Sequence, residues 1–296
     1  MQILRAGITG CLAGIMNPNS VIFDTDKEVI RHKAILRFRS DTVSKVTNIP
    51  FKEINVTKHI YLDGEYVNPT PYTSNLYSLK VTNGVYKRSI TKLEPVKRWL
   101  APNNFHELLL EKCSKRIVKS ELKDVKFGVD TISTLPLFDL LRHLNIDSDI
   151  TIEENFNEVF VTTILIDDCD VNQTIYYPGF ETPVYRASIE CNRLIIESID
   201  RVDDGDIIYV LDSFGVNIPE MTDVYQLNYK QKIGKIAPVD DSKRKDIIFR
   251  LTRDYHIYSL GRTAIWKNIL LDDCIQDIQR ISAMINKTDY EKALGR

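Results

Sequence analysis

The sequence predicts an α/β fold: a parallel-sheet domain assembled from both ends of the chain, interleaved with a smaller α+β domain. Two observations carry this. Near the N-terminus, Gly7-Ile8-Thr9-Gly10 stands between a short apolar segment and a small-residue run; near the C-terminus, Gly261-Arg262 ends an apolar segment, with Trp266 and then Asp272-Asp273 behind it. One large class of nucleotide-binding α/β folds uses the two chain ends together in this way.

Taken in order, residues 2–6 (Gln-Ile-Leu-Arg-Ala) form a short strand, and residues 7–16 a tight turn entering a small-residue helix. Asn17-Pro18-Asn19 stops that helix, and Ser20 to Asp24 form a second buried strand ending in an acid. Pro102 to Lys119 reads as a helix with Phe105, Leu108, Leu109 and Ile117 as its apolar positions. Residues 158–166 and 192–197 are rich in β-branched residues and read as strands. Ile247 to Leu251 and His256 to Leu260 are apolar or alternating. Asp272-Asp273 precede Cys274, Ile275, Ile278, Ile281 and Met284 at helical spacing, which predicts a helix over 271–286 with acids at its positive end.

Strand, glycine turn, helix, strand and carboxylate follow one another in the order a dinucleotide site requires. Glycine leaves no side chain between backbone and pyrophosphate, the helix N-terminus offers unpaired amides, and the acid accepts hydrogen bonds from a ribose diol. The turn Gly7, Ile8, Thr9, Gly10 and the acid Asp24 are the candidates. A glycine turn before any parallel-sheet helix explains the segment equally well. Arg5 stands where the usual G-x-G-x-x-G has its first glycine, and the helix is about a turn short.

Composition bounds the rest. An apolar fraction of 43% beside 27% charged residues is that of a globular chain, and no apolar run reaches bilayer length, so a soluble, cytoplasmic protein without a membrane partner is expected. Lys plus Arg number 39 against 41 Asp plus Glu; the net charge of −2 gives no general attraction to nucleic acid. Local clusters remain at Lys87-Arg88 with Lys97-Arg98, and at Lys112, Lys115, Arg116 and Lys119, where interspersed acids point to a solvated helix face. Five scattered cysteines at no metal or redox spacing predict reduced thiols and no metal site. Arg5 and the shortness of the segment before Cys11 exclude a lipoprotein signal. Abundant Ile, Asn, Lys and Tyr suit a microbial or viral genome of low GC content.

Tyr258-Ser259-Leu260-Gly261-Arg262, Trp266 and Leu271-Asp272-Asp273 match, in order and spacing, a signature near the C-terminus of one flavoprotein superfamily. The chain resembles this superfamily, which contains amine oxidases, protoporphyrinogen oxidase and UDP-galactopyranose mutase. Asp130 to Leu137, with Ser133-Thr134 before Pro136, resembles its strand returning to the cofactor domain. Tyr176-Tyr177-Pro178 and Thr182 to Ser188 resemble a substrate-side segment. The resemblance implies a Rossmann-like FAD-binding domain of residues 1–60, 120–140 and 235–296, and an α+β substrate domain of residues 61–119 and 141–234.

It further implies that Arg262 meets the FAD pyrophosphate, that Ser133 and Thr134 pass close to the cofactor, and that the amides around Leu271, Asp272 and Asp273 face the flavin pyrimidine edge. Trp266 either flanks the ring or packs in the core. Tyr177, Tyr185 and Arg186 are the substrate-side candidates; no catalytic residue is assigned, and His32 reads as a surface histidine. One departure stands out: relatives carry a Gly-Gly-Arg turn after the acid, whereas residues 26–40 contain no glycine, leaving Arg37 or Arg39 to supply the charge.

The implied function is an FAD-dependent oxidoreductase acting on an amine, an amino-acid-like group or a related small molecule; a modified nucleotide or DNA base is the substrate expected in a viral setting. Two alternatives stay open: a flavin-dependent mutase or lyase without net redox turnover, and a flavin-free accessory protein that binds nucleotide or nucleic acid. Oligomeric state is not legible.

Overall fold

The computed structural model describes residues 1–25, 35–86, 90–146, 152–167, 169–216 and 227–293. The chain opens with β1 (Gln2–Leu4), α1 (Ile8–Met16), β2 (Val21–Asp24), β3 (Arg37–Phe38), α2 (Thr42–Thr47), β4 (Lys52–Leu62), β5 (Glu65–Val67) and α3 (Pro71–Thr82). Next come β6 (Val96–Leu100), α4 (Phe105–Cys113), β7 (Ile117–Lys119), β8 (Thr131–Ser133) and α5 (Leu137–His143). The remainder is β9 (Phe156–Leu165), β10 (Asn172–Tyr176), β11 (Val184–Glu190), β12 (Arg193–Ser198), α6 (Asp204–Phe214), β13 (Leu227–Ile236), α7 (Asp241–Tyr255), β14 (Ile257–Ser259) and α8 (Leu271–Ala293).

Five strands form a parallel sheet in the order β14-β8-β1-β2-β7, drawn from the beginning, middle and end of the chain. Successive side chains of a strand point to opposite faces, and both faces are covered. Ile3, Ile22, Ile132 and Tyr258 pack against α1, α4 and α8; Leu4 and Ile257 pack against α5 and α7. Full burial of each such aliphatic side chain contributes about 1.5–3 kcal/mol. Helix α1 lies directly on the strands because a Cβ at Gly10 would collide with the Arg5 carbonyl oxygen and one at Gly14 with the Ile22 side chain.

The second sheet has nine strands in the order β13-β9-β12-β11-β10-β4-β6-β3, with β5 added beside β4; it is antiparallel except for the β10–β4 pair. One face is sealed by α6 through Ile207, Val210 and Leu211, the other partly by α3 through Tyr77 and Val81. Both helices begin with a capping box, Thr70 with Thr73 and Asp203 with Asp206. Among the described residues no helix is long and apolar enough to cross a membrane.

Strand pairing departs from the expected division of the chain. Residues 37–38 (β3) and 52–60 (β4) belong to the mixed sheet, and residues 105–119 lie with the parallel sheet. The helix expected from Pro102 to Lys119 ends at Cys113; after a 3₁₀ turn, Ile117 opens β7 and pairs with the edge of β2, so tertiary pairing overrides the helical spacing. Ile247 to Leu251 lie inside α7, where Leu251 is fully buried. Helix α8 starts where expected and runs on to Ala293.

Candidate active site

The N-terminal candidates meet at one turn. Gly7 is the N-cap of α1 with φ −68° and ψ 175°, and no side chain caps the helix, so its first-turn amides have no side-chain acceptor. A Cβ at Gly7 would meet nothing within 4 Å, whereas Gly10 is pressed against the Arg5 carbonyl. These are the separate demands of a phosphate turn: open space at one glycine and close strand–helix packing at the next. Arg5 holds the conformation a glycine would hold, φ +77°, with its amide donating to Phe23 O at 2.8 Å.

Asp24 ends β2 beside this turn, 8% exposed, and its carboxylate pairs with Lys119 Nζ at 2.5 Å. The Thr134 hydroxyl donates to Leu4 O at 2.8 Å and ties the end of β8 to β1; Thr134 lines the cleft. Ser133 is wholly buried, its hydroxyl accepting from the Leu135 amide, and does not reach the cleft.

At the other chain end, Gly261 has φ +93°, and a Cβ there would stand 3.1 Å from Thr9 Cγ2. Glycine therefore lets the segment after β14 pass directly over the first turn of α1. Arg262 lines the cleft and donates to Ile233 O at 3.3 Å. Trp266, expected beside the cofactor or in the core, is in the core: it is 2% exposed and edge-on to Phe138 at 4.6 Å between ring centres. Leu271 and Asp272 border the cleft at the start of α8.

Arg39 is directed at the acids of α8. Its guanidinium pairs with Asp273, and its amide donates to Asp272 Oδ1 at 2.9 Å. Asp273 also accepts from the Leu270 amide at 2.8 Å; burial opposes its ionisation, but that amide and Arg39 hold the carboxyl below its usual range. Residues 26–34, including His32, lie outside the described residues.

Between the two sheets runs a cleft of about 690 Å³, bordered on one side by the β1–α1 turn, Gly261-Arg262 and the start of α8, and on the other by β9, β11, β12 and β13. A β-bulge in β11 between Val184 and Arg186 turns both Tyr185 and Arg186 towards it. Glu197 from β12 accepts from the Tyr185 hydroxyl at 3.0 Å and from Arg186 Nε. Burial raises the Glu197 carboxyl, but Arg186, Lys235 and the Tyr185 hydroxyl together hold it down to about 2. Lys235 stands 4.3 Å over the Tyr185 ring.

Tyr177, expected on the substrate side, is on the far face of the sheet. It is fully buried against α6, with its hydroxyl 2.6 Å from Ser213 Oγ. The even alternation of β-strands sends it away from the cleft, whereas the bulge lets the adjacent Tyr185 and Arg186 both face it.

Sequence patterns did not single out His106, on the cleft wall in α4. It is 7% exposed, its Nε2 stands 3.1 Å from Ala6 O, and its buried Nδ1 has no partner among the described residues. Glu197 was missed as well, although an acid inside an otherwise apolar strand is a legible signal.

No family model and no curated protein matches the sequence. Solved structures do match the fold. A reduced UDP-galactopyranose mutase aligns with a TM-score of 0.66 over 96% of this chain and 93% of its own, at 14% identity. A protoporphyrinogen oxidase-like chain from Exiguobacterium sp. 255-15 gives 0.58 over 97% and 98%, at 9% identity. The p-nitrophenol 4-monooxygenase of Pseudomonas putida DLL-E4 gives 0.55 over 99% and 82%, at 10% identity. The chain thus has the fold of the FAD-binding, Rossmann-type flavoproteins, far removed from these three in sequence.

Proposed function

We propose that the chain is an FAD-dependent oxidoreductase that holds its cofactor in the cleft between the two sheets. The observation that carries this is the β1–α1 turn, where an uncapped helix N-terminus and the open side of Gly7 face the same cleft. The unpartnered Nδ1 of His106 fits as well. With Nε2–H given to Ala6 O, Nδ1 is an acceptor, and a nucleotide hydroxyl is a donor of the right kind.

Gly7, Ile8 and Thr9 would hold the diphosphate, Asp24 the ribose, and Leu271 and Asp272 the edge of the ring system. The pyrophosphate charge would be met by Arg5 and Arg262, which line the cleft, in place of the absent Gly-Gly-Arg turn; Arg39 does not line it and pairs with Asp272 and Asp273. The flavin supplies the hydride acceptor; the protein supplies orientation, desolvation and charge.

The opposite wall bears Arg186, Lys230, Lys232 and Lys235; Glu197 pairs with Arg186 and Glu158 with Lys230, so the wall remains positive on balance. A protonated amine is disfavoured there, so among the amine, amino-acid-like and related groups expected from the sequence we take the substrate to be neutral or anionic where it meets β11–β13. The likeness to a UDP-galactopyranose mutase supports a second reading, non-redox flavin chemistry. Turnover that needs prior reduction but consumes no electron acceptor distinguishes it. A flavin-free nucleic-acid role has less support: Lys97 pairs with Glu53 at 2.8 Å, and Arg98 lines a pocket of the mixed sheet that opens on the main cleft. Lys87 and Arg88 lie outside the described residues.

The test is the visible spectrum of the purified protein after FAD addition and desalting, with Arg262→Ala alongside. Retained flavin bands that weaken in the variant are expected; a protein colourless under every condition overturns the proposal.

A further inference from the structure

Sheet register places a row of polar side chains on one face of the mixed sheet. Thr174 of β10 stands opposite Ser188 of β11 and beside Lys58 of β4; Tyr176 stands opposite Arg186; β6 brings Arg98 alongside β4. Strand β3 is four strands away from β11, about 19 Å across a flat sheet. Yet Arg37 of β3 donates to Thr174 Oγ1 at 2.7 Å and to Ile189 O at 3.0 Å. The sheet therefore curls over its own face, and the curl forms a half-open pocket of about 180 Å³ that joins the main cleft at Arg37, Arg186 and Glu197.

The pocket is lined by four cations, Arg37, Lys58, Arg98 and Arg186, against one carboxylate, Glu197, which is already bonded to Arg186 and Tyr185. Among the lining residues positive charge exceeds negative by three, in a chain whose net charge is −2; Glu190 near Arg37 and Glu94 near Lys58 offset part of that surplus from outside the lining. Arg37 Nε is buried without a partner among the described residues, and Ile35, Val56, Val96 and Ile195 form apolar walls that strengthen the charge interactions inside. The crowding acts against the cations themselves. Burial, opposed by Glu190 and reinforced by Arg186, pushes Arg37 down to about 10, and burial followed by Arg98, opposed by Glu94, pushes Lys58 down.

We propose that this pocket binds a phosphate group of the substrate, held by Arg37, Lys58, Arg98 and Arg186, while the rest of the molecule lies in the main cleft. This rests on that cleft being the active site. A phosphate ester carries about −1.5 to −2 at neutral pH and offers three acceptor oxygens, closer to the surplus charge than a carboxylate. The volume suits a charged end group, since whole drug-sized ligands fill about 300–1,000 Å³.

Calorimetric titration of the purified protein with inorganic pyrophosphate, and with acetate at matched ionic strength, tests this. Lys58→Gln and Arg98→Gln are measured in parallel, together with flavin retention and the thermal midpoint. Pyrophosphate is expected to bind at least about tenfold more tightly than acetate, and each variant to weaken it by about tenfold or more. Both variants should also unfold at a higher temperature, because removing one of several like charges relieves repulsion, and both should keep flavin as the parent does. Unchanged pyrophosphate affinity overturns the proposal, as does equal binding of acetate. Loss of flavin retention in the variants gives the pocket to the cofactor and overturns it too. Pyrophosphate binding through Lys58 and Arg98 in a protein that never retains flavin leaves the pocket standing and removes the flavin assignment instead.

Discussion

The two sheets face each other across one cleft but build their sides of it by opposite means. The parallel sheet works with backbone: a turn at Gly7, a left-handed residue at Arg5, another at Gly261, and two helix N-termini. The mixed sheet works with side chains brought together by register and curl, so that Arg37, Lys58, Thr174, Arg186 and Glu197 meet from five strands. The backbone side should therefore fail when a Cβ is added, and the side-chain side when a charge is removed.

The sharpest test of the first half is Gly10→Ala. The added methyl meets backbone, not a flexible side chain, so α1 must lift from β1. A loss of about 3 kcal/mol is expected from chemical denaturation; a loss under about 0.5 kcal/mol would break the contrast.

On the mixed sheet the counterpart is Glu197→Gln, which leaves Arg186 without its ion partner. Removing one member of a buried pair costs about 3–5 kcal/mol, but the Arg186 side chain is 33% exposed, so about 2 kcal/mol is expected. The pH dependence has a definite sign. Because Glu197 is held to about 2 in the folded protein against an ordinary 4.5, its stabilisation is present above pH 4.5 and is lost as pH falls towards 2. The variant should lack that part of the acid transition, and parallel unfolding curves for the two proteins over this window would sink the assignment.

The same division explains what the sequence revealed. The turn at residues 7–10, Asp24, Gly261 and the acids of α8 were legible because short-range spacing fixes backbone sites. Trp266 was left open between ring and core, and Tyr177 was misplaced, because only tertiary packing decides which way a large side chain points. Tyr185 and Arg186 reach the cleft through a bulge that leaves no mark in local spacing. His106 was invisible inside a helix pattern, and the curl that carries Arg37 to Thr174 joins residues 137 positions apart.

Arg5→Gly gives a smaller effect of opposite sign. The left-handed backbone costs a non-glycine residue about 1–2 kcal/mol, and the freer unfolded glycine chain returns about 0.5–1 of it. A net gain of up to about 1 kcal/mol in stability is expected, with weaker FAD retention as the guanidinium leaves the cleft. A variant less stable than the parent would mean that Arg5 is held by contacts worth more than its strain.

The smallest change asks the most of the comparison. Serine at position 7 keeps an allowed φ, finds open space, and can cap α1 by accepting from a first-turn amide. Glycine and serine differ by only a few tenths of a kcal/mol as N-caps, so the midpoint should rise slightly. If those amides serve a diphosphate, the new hydroxyl competes for them and flavin retention falls. If Gly7→Ser gains stability and retains flavin fully, the turn is a packing device common to any parallel-sheet helix, and the cofactor must be held from the Arg262 and α8 side of the cleft.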